Sequence, residues 1–399
     1  MAAQGNPPAE LKKLLVGSKN QLFVFSFDGS QFIPTGRYVQ EDWLPSWVLF
    51  KWPNYLYAIN PLDTNTSLLR IVPDYSPEGN RRRHNWGVDK SQRDIEKYMT
   101  RLYADAPIFA SRAQGSHGGV HLAFNADKTR IVEASFFSGR IDIWDSSAAD
   151  GSLRLMKSLS IPYEPSPGQN QNRPHQAVID PTNRYFVIPD FGSDRLLIID
   201  SQNDDFEIIG SKRVPLGSGP RHVAFLTNRG THYLAVVAEL SSQLFFYETH
   251  YEEDHIWFRA LGGQHTYPLG PDNCTSRPAE LVVSRDQRSV YVSNRGTDKE
   301  TDHIARFAFS DFPPDHEPHL DYIGRTMTGG KHPRSFCLSN DPQQKYVFIT
   351  NETGRHGLQV NKRDPQTGHI DPTPIATMMN RHLTIPGLEG EGPHFVCEI

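Results

Sequence analysis

Apolar residues in this chain fall in short runs, and the runs come in threes. From Arg173 to Asp200 the sequence reads RPHQAVIDPTNRYFVIPDFGSDRLLIID. A first strand runs from His175 to Ile179 and is halted by the turn cluster Asp180-Pro181-Thr182-Asn183. A β-branched and aromatic second strand runs from Tyr185 to Ile188. Gly192-Ser193-Asp194 then turns the chain into a third strand, from Leu196 to Ile199. The same phrase returns at 219–248, 276–296 and 331–354, and in weaker form from Leu44 and from His117. A seventh copy starts at Gly392 and ends after one strand, GPHFVCEI. Its missing part stands at the other end of the chain, where KLLVGSKNQLFVFSFDG (13–29) has the second strand, turn and third strand with nothing before them.

Prolines at 174, 220, 278, 333 and 393 mark the repeats at spacings of 46, 58, 55 and 60 residues, the size of a propeller blade. The pattern predicts an all-β chain, a seven-bladed β-propeller occupying 1–399 as one domain. Pairing of the N- and C-terminal strands in a shared blade covers edges that would otherwise stay open.

The repetition breaks once, in an insertion over 73–115. Its first part, PDYSPEGNRRRHNWG, is loop by composition. Its second part predicts a helix over 91–105: Ser91 and Asp94 resemble a capping box, and Ile95, Tyr98, Met99, Leu102 and Tyr103 follow at helical spacing before Pro107. Its apolar face docks on the propeller, covers the central opening, or joins a homo-oligomer. The loops at 162–172 and 262–273 carry no chemistry of their own.

With 30 Gly and 30 Pro the chain is rich in turns, and no apolar run of about 18 residues predicts a membrane span. No signal pattern opens the sequence, and three cysteines (Cys274, Cys337, Cys397) make no disulfide framework, so a cytoplasmic protein is expected. A net charge of −5 argues against nucleic acid as a partner, despite Arg81-Arg82-Arg83.

The candidate chemistry comes from superposing the repeats. Directly after the marker position stand Ser46, His175, Arg221, Ala279, Arg334 and His394. Inner strands line the channel of a propeller, so this is a ring of cationic and titratable side chains that calls for acidic counter-charges or an anionic ligand. At the end of the second strand the equivalent residues are Phe136, Phe191, Glu239, Arg295 and Glu352. Each also has a bland reading: His175 as a satisfied inner-strand histidine, Arg221 with Glu239 as an inter-blade ion pair, Arg295 paired with Glu352, Arg334 bracing a blade. His222, one residue out of phase, is expected to face a blade interior. His117 and His121, four apart on one strand, would lie about 13 Å from each other, too far to share a metal. No serine-nucleophile elbow or phosphate-binding glycine loop is present. Trp144-Asp145 is not repeated at the equivalent positions, which weakens the alternative of a non-catalytic propeller that binds a protein partner.

The runs PHQAVIDPTNRYFVIPD, GPRHVAF, AELSS (238–242), SNRG (293–296), HPRSF (332–336) and the terminal GPHFV resemble the propeller lactonases. That family includes 6-phosphogluconolactonases and fungal 3-carboxy-cis,cis-muconate lactonizing enzymes. The resemblance implies a seven-bladed propeller that hydrolyses, or forms, the lactone ring of a small anionic substrate. It implies a catalytic group of His175, Arg221, Glu239 and Arg295. The other ring positions, Arg334, Glu352 and His394, are expected to bind substrate, and because the chain lacks an acidic and Asn constellation like that of calcium-dependent propeller lactonases, no metal or cofactor is expected. Either His175 or Glu239 serves as the acid or base, and the arginines hold a carboxylate, a phosphate or the developing oxyanion.

Overall fold

The computed structural model describes residues 11–73, 105–267, 276–297, 300–310, 317–388 and 390–399. These residues form seven four-stranded antiparallel sheets, numbered here as blades 1–7 in chain order. Blade 1 is the composite one. Its innermost strand is the C-terminal Phe395–Glu398, followed outward by Lys12–Ser18, Gln21–Phe27 and Phe32–Val39. Leu14 lies opposite Glu398 and Val16 opposite Val396, so the two ends of the chain are held in one sheet.

The remaining inner strands are Trp47–Lys51 (blade 2), Gly119–Phe124 (blade 3), Val178–Ile179 (blade 4), Pro220–Asn228 (blade 5), Arg277–Val283 (blade 6) and Ser335–Leu338 (blade 7). Their neighbours are buried on both faces, because each blade is sandwiched between two others. That is why strands such as Tyr185–Asp190 read as unbroken apolar runs rather than alternating ones. Outer strands meet solvent on one side, and Glu207–Arg213 alternates between exposed and half-buried positions along its length.

The core is correspondingly divided into seven inter-blade layers. Val187 and Ile198 of blade 4 pack on Val223 and Val236 of blade 5. At the closure, Val16 and Phe25 of blade 1 meet Phe348 and Val360 of blade 7, while Leu15 and Val24 meet Val48 and Leu56 of blade 2. Blade 1 is therefore packed on both sides like the others, and the ring is continuous.

Turns form where the sequence places their chemistry. Asp180 accepts from the amides of Thr182, Arg184 and Tyr185 at 2.9, 2.9 and 2.7 Å, and Asn183 takes a left-handed φ of 63°.

The helix expected over 91–105 lies outside the described residues apart from Asp105, and the insertion is shorter than 73–115. Asp105–Gln114 is the outer strand of blade 2, with Pro107 opposite Ile71. This edge strand is half exposed and lacks the apolar run that marks an inner strand, so its period is faint in the sequence. Among the described residues the helical segments are the short turns Gln202–Asp204 and Asn380–His382.

Candidate active site in the central channel

Inner strands enter the channel through irregular backbone. In blade 5 the pairing steps from Pro220 opposite Ala238 to His222 opposite Val237, leaving Arg221 as a bulge. Blade 6 skips from Pro278 to Leu281, and blade 3 from Gly119 to His121. A bulge breaks the alternation of facing sides, so two consecutive side chains can both point at the axis.

The first row contains the residues expected from the repeats, gathered in two charged nodes. Glu239 Oε2 lies 3.1 Å from Arg221 Nε and 2.7 Å from Arg295 Nη2, linking blades 5 and 6. Glu352 Oε1 lies 3.0 Å from Arg334 Nε and 2.7 Å from His394 Nδ1, linking blade 7 to the C-terminal strand. Its other oxygen is 3.4 Å from Nδ1 of the exposed His332. Arg295 thus pairs with Glu239 rather than with Glu352, and its Nε also donates to the Arg277 carbonyl at 3.1 Å. Glu239 is fixed in turn by its own amide, which donates to Gly219 O at 2.8 Å.

His175 sits between these nodes and an aromatic wall. Its ring centroid is 5.5 Å from that of Phe136, which is 5.8 Å from Phe191 and lies under the Arg173 guanidinium at 5.1 Å. The mouth is therefore two-sided, charged toward blades 5–7 and aromatic toward blades 3 and 4.

Beneath lies a second row that repeat phasing overlooked. His222 faces the axis, not a blade interior: its ring is 5.2 Å from His175, 6.0 Å from His121 and 6.3 Å from Trp47, which belong to three other blades. Its Nδ1 is 2.9 Å from Glu280 Oε1 and its Nε2 is 3.3 Å from Arg221 Nη1. The bulge at Arg221 is the physical reason for this placement. Gln176 occupies the same row and accepts from the Val223 amide at 2.6 Å. These residues stand one place after the marked ring, the only trace of them in the sequence. His117 lies in a turn and stacks near Phe137, whereas His121 lies on an inner strand and accepts from the Ala177 amide at 3.3 Å. Among the described residues no trio of His, Cys, Asp or Glu is grouped as a metal site.

Electrostatics sort the titratable groups. Burial pushes the His175 imidazole well below its ordinary value, and Arg221, His222, Arg334 and Arg295 push in the same direction. His175 is therefore neutral at pH 7. Burial acts to raise Glu239, but Arg295, Arg221 and Arg334 override it and hold the carboxyl below its usual range. For Glu352, burial is likewise overridden by hydrogen bonds from His332 and His394 and by Arg334. Burial and the adjacent Arg295 draw Arg221 down, yet a guanidinium stays charged at neutral pH. The site thus presents three guanidinium groups, two ionised carboxylates and the neutral imidazoles of His175 and His222 in one channel.

Comparison with known proteins agrees with the fold. The family described as "Lactonase, 7-bladed beta-propeller" matches residues 89–383. An uncharacterised protein of Staphylococcus saprophyticus is 28% identical over 262 residues, 65% of this chain and 71% of its own length. Among solved structures, the periplasmic gluconolactonase of Pseudomonas aeruginosa superposes with a TM-score of 0.72 at 20% identity, covering 98% of this chain and 99% of that one. A Bacteroides fragilis protein provisionally assigned as a 6-phosphogluconolactonase gives 0.71 at 18% identity, covering 99% and 100%. At such identities the structural likeness establishes the fold. The family match spans most of the chain, and the blade count and terminal closure agree with it. The chain belongs to the seven-bladed β-propeller lactonase family.

Proposed function

We propose that this chain hydrolyses the ring ester of a small anionic lactone at the channel mouth. The observation that carries the reading is the convergence of Arg221, Arg295 and Arg334 around neutral His175, with two carboxylates to orient them. Ester hydrolysis needs donors for the oxyanion that forms at the carbonyl, and the buried guanidinium groups of Arg221 and Arg295 supply them where water is scarce. A further guanidinium holds the substrate's own anionic group, for which its planar fork is suited.

Glu239 is a poor base, because two arginines share one of its oxygens and hold it ionised; its role is to aim them. The proton of the attacking water goes instead to a channel imidazole. The aromatic side of the mouth, Phe136 and Phe191, suits the C–H face of a sugar-acid lactone, the substrate class for which the structural neighbours are named. The lactonizing direction finds no support in those neighbours. An arginine and imidazole lining does not favour a hard divalent cation, so turnover is expected to survive chelator treatment.

The test is acid release at constant pH on 6-phosphogluconolactone, gluconolactone and a panel of carboxylated lactones. Arg221→Ala is expected to lower kcat/KM by at least about 100-fold, the size of losing an oxyanion donor, with folding retained. No turnover of any lactone by the wild type would sink the reading.

A further inference from the structure

We infer that His394, held by Glu352, is the general base of the ring-opening step. The inference rests on the lactonase reading above and deepens it, by choosing among the channel imidazoles.

His394 is 7% exposed, and its Nδ1 lies 2.7 Å from Glu352 Oε1. Glu352 is kept ionised by its neighbours, so the ring proton belongs on Nδ1 and the lone pair on Nε2. That Nε2 is buried and has no hydrogen-bond partner. A buried polar atom left without a partner carries a free-energy cost, and here the atom left open is the basic nitrogen. By repeat equivalence His394 occupies the same ring as Arg221 and Arg334, whose guanidinium groups reach the two carboxylates of the mouth.

The dyad is also built to hold still. The Glu352 carbonyl accepts from the Gly392 amide at 2.9 Å and from Asn380 Nδ2 at 3.0 Å, while the His394 amide donates to Gly17 O at 2.8 Å. A Cβ on Gly392 would stand 2.4 Å from the Glu352 carbonyl oxygen, so glycine is needed for this approach. The terminal GPH segment thus closes the ring and fixes the dyad with the same contacts.

His175 is the weaker candidate. No carboxylate meets its Nδ1, which is without a partner, and its cationic surroundings reduce its affinity for a proton. It is better placed as a neutral wall group against the substrate.

In the step itself, His394 Nε2 takes a proton from water as the water oxygen bonds to the lactone carbonyl carbon. The carbonyl electron pair moves to oxygen, where the arginines hold it. Collapse of this tetrahedral species breaks the bond from the carbonyl carbon to the ring oxygen. The Nε2 proton passes to that oxygen, giving the open hydroxy acid and returning His394 to its starting form. The imidazolium formed in between faces Glu352, with Arg334 on the same carboxylate oxygen, His332 on the other and Arg295 nearby.

The experiment compares wild type, His394→Gln, Glu352→Gln and His175→Gln by steady-state turnover across pH, alongside 15N NMR of histidine-labelled, ligand-free protein. His394→Gln is expected to lower kcat by at least about 100-fold, with KM within about threefold and the thermal transition retained. Glu352→Gln is expected to lower kcat less and to move the acid limb of the kcat profile to lower pH, a shift that a bracing role would not produce. NMR should find His394 protonated on Nδ1 and bare on Nε2, a signature lost in Glu352→Gln. A proton on Nε2 in the wild type would overturn the inference. So would His394→Gln that keeps kcat within threefold while His175→Gln abolishes it. Should the wild type open no lactone at all, the functional reading has failed, and the tautomer alone then decides whether the dyad is poised as a base.

Discussion

Replacing Glu239 by Gln removes one charge from the centre of the mouth while keeping the shape of the side chain. In the native site one carboxylate oxygen serves Arg221 at 3.1 Å and Arg295 at 2.7 Å, and the three side chains are 14%, 7% and 12% exposed. Water therefore screens little of the interaction. Breaking a buried ion pair from one side costs about 3–5 kcal/mol, because the partner is left desolvated and unpaired. The amide oxygen of Gln can still face the two guanidinium groups as a neutral acceptor, which points to the lower end, about 3 kcal/mol. With an unfolding entropy of about 2.1 cal/mol/K per residue over 399 residues, that loss lowers Tm by about 4 °C.

The same substitution leaves two guanidinium groups without their counter-charge, so an anion should bind more tightly than to the wild type. Thermal unfolding is the assay, followed with and without phosphate or gluconate in the millimolar range. The expected result is a destabilised free protein that recovers more of its Tm on adding the anion than the wild type gains. An unchanged Tm in the Gln variant would mean that the node is solvated and its arginines are not poised. Equal anion stabilisation of both proteins would mean that Glu239 does not compete with the ligand.

Three further outcomes follow from named groups. Glu239 and Glu352 both ionise below the ordinary carboxyl value of 4.5, so their contribution to stability is complete above it and is lost as pH falls through it toward their native values; urea midpoints should drop in acid, and Glu352→Gln should flatten that slope. Glu133 behaves oppositely: buried among Thr66, Trp144 and Ser135, its carboxyl is pushed up to about 8 mainly by burial, so stability falls as pH rises from 4.5 to 8, and Glu133→Gln should become increasingly stabilising over that interval in the same urea titration. Gly392→Ala should lower both turnover and Tm, because its Cβ would stand 2.4 Å from the Glu352 carbonyl oxygen and 2.3 Å from Asn380 Oδ1; a Tm equal to that of the wild type would show that the terminal segment is free to shift.

Repetition made most of the fold legible. The second and third strands of most blades are buried on both sides and wrote apolar runs into the sequence, the polar His356–Arg363 being an exception, and the truncated copy at Gly392 announced the closure. The outer strand of blade 2 did not, because Asp105–Gln114 faces solvent along much of its length and contains a proline where a strand is least marked. Superposing the repeats also found the first row of the channel, since Arg221, Arg334 and His394 hold equivalent places after a marker proline.

The second row escaped for a reason that lies in the backbone rather than in the side chains. Strict alternation would send His222 and Glu280 to the side opposite their predecessors, into the layers between blades. A histidine and a glutamate buried among Val223, Leu234 and Val236 would have been costly, and that cost was a clue the alternation rule overrode. At the bulges the pairing skips a residue, and the two groups instead meet each other at 2.9 Å on the axis, beneath the arginines. Polar residues that appear out of phase directly after the marker are therefore better read as a sign of a bulge than as tolerated core residues. A channel lined two deep explains how so many charges can be held at one mouth: within the lower row Glu280 orients His222, and His222 in turn meets Arg221 of the upper row.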